Sequence, residues 1–128
     1  MADMTTYLKN ELVDHVLRNA AYASPNALYV ALFTTATGDD GSGTELSAGG
    51  YARQALTVDA PSDGATANTS AVTFGPATED WGTVTHCAIY DAETNGNMLM
   101  HDALSTSRPI GDGDELEFAA GDLDVVFA

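Results

Sequence analysis

The chain has 128 residues and sets nineteen acidic side chains against four basic ones, a formal net charge of −15. The length suits one domain with an ordinary apolar core, while the shortage of Lys and Arg excludes the basic surface that nucleic acid and anionic membranes require. No apolar run reaches membrane-spanning length, Met1-Ala2-Asp3-Met4 lacks the basic and hydrophobic regions of a signal peptide, and the single cysteine, Cys87, cannot form an internal disulfide.

The first predicted element is a helix over about residues 6–22. Leu8, Leu12, Val13, Val16, Leu17 and Ala20 recur at helical spacing, with Lys9, Glu11, Asp14, Arg18 and Asn19 largely on the other side. One apolar stripe predicts that this helix packs on something. Thr5 or Thr6 is the predicted cap, and Ser24-Pro25 the predicted stop.

After Pro25 the texture changes to strands. Residues 27–34 are apolar on both faces and predict a central strand, whereas residues 35–50 are a Gly/Ser/Thr/Asp-rich loop. Residues 51–58 alternate as a strand, Pro61-Ser62-Asp63-Gly64 signals a turn, and residues 66–74 predict a further strand. Residues 84–90 and 97–104 form the clearest pair, because Asn95-Gly96 between them offers the positive φ angles of a tight hairpin. Leu116 and Phe118 alternate with acids, and Leu123, Val125 and Phe127 then predict a last strand with one face to water.

One helix and six to eight short strands predict a mainly β chain, a β-sandwich or jelly-roll-like domain with one N-terminal amphipathic helix. We expect a single domain over residues 1–128, with the helix at about 6–22 and the sandwich at about 26–128.

Candidates for chemistry are few. Cys87 follows His86, but neighbours on a strand face opposite ways, so Cys87 is expected in the core. His86 and His101 could meet across the hairpin as a two-histidine metal site, although a satisfied or exposed histidine is the plainer expectation, as it is for His15. Residues 39–45 and 112–115 supply oxygen ligands without the spacing of a calcium loop. Gly49-Gly50 and Gly111-x-Gly113 do not precede helices, so phosphate loops fail their context. No catalytic, cofactor-binding or metal-binding residue is assigned, and no cofactor is expected. Trp81 is expected as a core anchor or packing lid. Tyr51 and Arg53, two apart on one strand face, suit a subunit contact. Tyr51, Arg53, Trp81 and His86 are the candidate assembly residues.

Six segments fall in a telling order: TYLKNELVDHVLRN at 6–19, YVALFTT at 29–35, GGYARQA at 49–55, WGTVTH at 81–86, AIYDA at 88–92 and NGN at 95–97. Together they resemble a family of small virion structural proteins of tailed phages, of the tail-fibre-like or minor structural kind, over nearly the whole chain. The resemblance implies a non-enzymatic component of the virion surface, made in the host cytoplasm. It implies a homo-oligomer, in cyclic sets of three, five or six copies, that contacts capsid or tail proteins and aids host attachment. A capsid-vertex turret or spike and a tail or neck fibre are both compatible with it. The chain departs from that family in its scarcity of lysine. Dispersed acid with little lysine fits a halophilic host, where about 1 M salt shortens the Debye length to about 3 Å and screens self-repulsion. The alternative from another class is a carbohydrate- or calcium-binding adhesion module of a halophile.

Overall fold

The apolar run after Pro25 becomes the middle of the principal sheet in the computed structural model, which describes residues 1 and 3–127. β2 (Leu28–Phe33) lies between β3 (Gln54–Leu56) and β6 (Gly82–Tyr90). β6 pairs onward with β7 (Met98–Ile110), and β7 with β1 (Asp3–Met4). Every pairing in this five-stranded sheet is antiparallel. Val30, Ala31, Leu32 and Phe33 are all buried, so the strand is covered on both faces and needs no polar alternation.

Two short ladders cover one face of the sheet. β4 (Ala65–Ala67) pairs with β9 (Asp124–Val126), and β5 (Val72–Phe74) with β8 (Leu116–Phe118). Val30, Leu32, Cys87 and Ile89 of the sheet share one core with Phe74, Leu116, Phe118, Leu123 and Val125 of the ladder side. On the other face Ala31, Phe33, Ala88, Tyr90 and Met98 form a second, smaller cluster. The period-2 alternation of β2 and β6 divides their side chains between the two clusters. The architecture is mainly β with one N-terminal helix, in keeping with the predicted β-sandwich.

Several boundaries differ from the predicted ones. Residues 66–74 form two strands, because Asn68 turns the chain from one ladder to the other. Its buried amide donates to the carbonyls of Ser70 (2.9 Å) and Ala119 (3.0 Å), and its Oδ1 accepts from the Leu123 N–H at 2.9 Å. The strand predicted at 51–58 shrinks to β3, with Val58 making only an isolated bridge to Asn68. β7 runs on to Ile110, with residues 104–107 displaced between the pairs Val84↔Arg108 and His86↔Ala103. Asn95 and Gly96 take the predicted positive φ values, 56° and 75°, but inside a connection of residues 91–97 rather than a two-residue turn. The Asp91 carboxylate closes its base by accepting from the Asn97 N–H at 2.7 Å.

The helix α1 (Thr6–Leu17) starts where its cap predicts. Thr5 Oγ1 accepts from the Leu8 N–H at 3.3 Å and donates to the Met98 carbonyl at 2.7 Å. The helix ends well before residue 22. Asn19 adopts φ 56°, and the N–H groups of Arg18 and Ala20 both reach the Asp14 carbonyl. Only the first half of the apolar stripe packs on this chain. Leu8 is buried and Leu12 half-buried, whereas Val13, Val16 and Leu17 are exposed.

Candidate functional site

The stretch of residues 34–50 joins the main sheet through one bridge, Phe33↔Glu45. Backbone bonds from Thr6 to Asp39 and from Thr78 to Gly49 also hold it, and side chains add to this fastening. Most of that work falls on Glu45, Tyr51 and Arg53. The Tyr51 hydroxyl donates to Glu45 Oε2 at 2.6 Å and accepts from the Leu32 N–H at 3.1 Å. Arg53 Nε and Nη2 each reach a Glu45 carboxylate oxygen at 2.9 Å, the two-pronged geometry that makes Arg–carboxylate pairs specific. Arg53 Nη1 donates to the carbonyls of Ala92 (3.0 Å) and Asn95 (2.7 Å). The guanidinium carbon lies 3.7 Å from the centroid of the Tyr90 ring, within cation–π range. One arginine thus ties together the loop ending at Glu45, its own strand entry and the connection of residues 91–97.

The charges of this cluster are held inside the surface. The Arg53 side chain is 8% exposed and that of Glu45 26%. Burial pushes the Glu45 carboxyl upward, but the hydrogen bonds from Arg53 and Tyr51 and the Arg53 charge outweigh it and hold the group below its ordinary value. The Tyr51 phenol is pushed well above its ordinary range, first by burial and then by its bond to Glu45.

Trp81 completes the cluster from below. Its indole N–H donates to the Gly49 carbonyl at 2.8 Å, and its ring meets the Tyr51 ring edge-on at 5.8 Å. Tyr51 also stacks on Phe74 at 6.1 Å. Gly50 has φ +86°, and a Cβ there would sit 2.5 Å from the Pro76 carbonyl oxygen, so only glycine serves at this position of the GGY segment. Of the four candidate assembly residues, Tyr51, Arg53 and Trp81 are therefore one constellation. His86 stands apart on β6, its Nδ1 2.8 Å from Thr85 Oγ1. Glu45 and Tyr90 were not singled out from the sequence. A nearly buried arginine demands an acid, but nothing in the pattern says which of nineteen it meets.

The other groups considered for chemistry have structural occupations. Cys87 is 3% exposed, and burial, with a smaller contribution from Asp102, pushes its thiol up to about 12, so it carries almost no thiolate at neutral pH. His101 lies 2.8 Å from both Asp39 Oδ1 and Thr37 Oγ1. That sequence of hydroxyl, imidazole and carboxylate has the order of a hydrolytic triad. Asp39, however, also accepts from Lys9 Nζ at 3.2 Å, and none of the described cavities is lined by Thr37 or His101. These bonds hold the loop down on β7. Asp39 is kept below its ordinary value by the hydrogen bond to His101 and then by Lys9.

The acidic loops use their carboxylates to close turns. Asp40 accepts from Ser42 N–H, Asp80 from Gly82, Asp114 from Gly111 and Asp122 from Ala119, at 2.9–3.1 Å, while Glu79 accepts from Gly49 N–H at 2.6 Å and ties two loops together. Among the described residues no three His, Cys, Asp or Glu side chains converge as a metal set. The space beside Arg53, about 350 Å³, is walled by Glu45, Tyr51, Glu93, Thr94 and Asn95. It presents one guanidinium among acids and no nucleophile paired with a base. What the cluster does chemically is tie the loop of residues 34–50 to the connection of residues 91–97 and to the entry of β3.

A family model described as podophage GP4 fiber I protein gp80 matches residues 3–126. The matched stretch includes α1, every strand and the whole Glu45–Tyr51–Arg53–Trp81 cluster. No curated protein matches the chain.

Proposed function

Because the chain belongs to the family of the podophage GP4 fiber I protein gp80, we propose that it is a fiber subunit, a non-enzymatic structural component of a tailed virus particle. The observation that carries this reading is the family match across residues 3–126. The fold supports it: the loop fastenings are rigid and the buried polar groups are committed to holding loops.

In this reading residues 1–128 act as one structural unit on the virion. Copies associate in a closed ring or bundle, contact other virion proteins and assist attachment to the host surface. Arg53, with Tyr51 and Trp81 bracing it from within, shapes a fixed rim for these contacts, and His86 offers a further contact on β6. The net charge of −15 supports a salt-rich host, because concentrated salt screens self-repulsion of that size most fully.

Immunolabelling of purified particles tests the role. Label is expected at a fixed place on each particle, and purified particles without the protein would remove the proposal. Unfolding across a salt series tests the host environment separately. Stability should rise from dilute buffer to about 1 M salt, and full stability without salt or divalent ions would sink the halophilic reading alone.

A further inference from the structure

The helix α1 carries an apolar stripe longer than the surface it covers. Val13, Val16 and Leu17 are 50%, 70% and 76% exposed. Spacing of four puts Val16 beside Leu12 and Leu17 beside Val13, so the stripe continues unbroken from the core into solvent. Where Leu12 leaves the core it borders a groove of about 250 Å³, whose other walls include Tyr22, Pro25, Val58 and Phe127 and no charged residue. Val58 and Phe127 are themselves 38% and 48% exposed. Among the described residues six large hydrophobic side chains are exposed, and all but Val126 belong to this stripe or groove.

The charge distribution says what can cover this face. Between Asp3 and Asp39 the chain has two bases, Lys9 and Arg18, balanced by two acids, Glu11 and Asp14. Seventeen acids and two bases, the whole net charge of −15, lie outside that stretch. The balanced stretch contains α1, its exposed stripe and the Tyr22–Pro25 wall of the groove. In space Arg18 is paired with Asp14 and Lys9 with Asp39, so α1 itself is close to neutral, and a partner as acidic as this chain meets less repulsion on it than on the acid-rich remainder.

We propose that this face is where a second copy of the chain docks, face to like face, with Val16 and Leu17 of each helix covering the groove of the other. A like-to-like contact of this kind closes on a two-fold axis, so it makes pairs of chains, and a larger ring or bundle builds from such pairs through a second surface such as the Arg53 rim. The inference rests on the proposal that the chain self-assembles, and it names the contact. A stable contact of ordinary size covers about 800 Å² on each partner, more than three helix side chains supply, so the groove belongs to it. Salt strengthens such a contact, since it screens the acidic remainder while leaving apolar burial intact.

Light scattering on a sizing column in about 1 M salt tests this with the wild type, Val16→Asp, Leu17→Asp and, as a control, Val126→Asp. The wild type is expected to run as a multiple of the 13.3 kDa chain. Both helix variants should fall to half that mass or less with the melting midpoint unchanged, and the control should keep the wild-type mass. A wild-type multiple that the helix variants leave intact overturns this face and lets self-assembly stand. A wild type that stays a single chain at every salt concentration overturns both. Leu17→Cys gives a second measurement, because Cys87 is buried. A short bismaleimide should link the copies through residue 17, and an unlinked multiple would count against the contact.

Discussion

Replacing Arg53 by alanine takes away one side chain that ties two loops together. The carboxylate of Glu45 loses both prongs of its partner and keeps only the Tyr51 hydroxyl. The carbonyls of Ala92 and Asn95 lose their donor, and the Tyr90 ring loses the cation above it. An exposed ion pair contributes at most about 1 kcal/mol, whereas removing one member of a buried pair costs about 3–5 kcal/mol. Arg53 is 8% exposed and Glu45 26%, so the pair lies nearer the buried limit, with water able to reach the orphaned carboxylate. The expected loss is about 3 kcal/mol. At about 4 °C per kcal/mol for a chain of this size, that lowers the melting midpoint by about 12 °C. Urea unfolding at fixed high salt measures it, because urea leaves the ionic strength unchanged. Glu45→Gln should cost about 2 kcal/mol, and the double variant should fall short of the sum by about 1.5 kcal/mol, since the two groups act together. A loss under about 1 kcal/mol for Arg53→Ala, or additive losses in the cycle, would refute the account of a buried latch.

The Glu45 carboxyl is held below its ordinary value of 4.5 in the folded chain. Its contribution is therefore complete above that pH and drains away as the pH falls through the lower folded value. Urea midpoints from about pH 6 to about pH 3 should decline, and Arg53→Ala should flatten the decline. Asn68→Ala, which strands the two carbonyls and one N–H that bind a side chain 1% exposed, should cost about 3 kcal/mol, and a loss under about 1 kcal/mol would show that water replaces the amide. Cys87, its thiol pushed up to about 12, should ignore a thiol reagent in the folded chain and react fully in urea. Labelling of the folded chain at the rate of the unfolded one would show that the core opens there.

The strand content was legible because burial on two faces and on one face leave different patterns. The continuous apolar run of β2 and the alternation around β8 and β9 each read correctly. What escaped depends on partners distant in sequence. Asn68 looks like any polar residue in a strand, and only its position between two ladders makes it a junction. β1 is two residues long and exists because β7 offers an edge beside it. The end of α1 was written in Asn19, a residue that tolerates a left-handed backbone, but the apolar rhythm and Ser24-Pro25 drew the boundary further on. For the cluster, Tyr51 and Arg53 stand out by their spacing of two on one predicted strand face, and Trp81 by its place at a strand entry. The shared partner of Tyr51 and Arg53, Glu45, is hidden among eighteen other acids.

The carboxylates that close turns have a consequence for descent. An amide oxygen accepts the same N–H bond as a carboxylate oxygen in nearly the same volume. Asp40, Asp80, Asp114 and Asp122 can each become asparagine with the turn still closed, and Glu79 glutamine with its bond to Gly49 kept. Asp39 and Glu45 cannot change so freely, because Lys9 and Arg53 answer their charge. The fold and its acidity are thus inherited separately. Exchanging all five takes the net charge from −15 to −10, and relatives that carry less charge should differ at these positions and agree at Asp39 and Glu45.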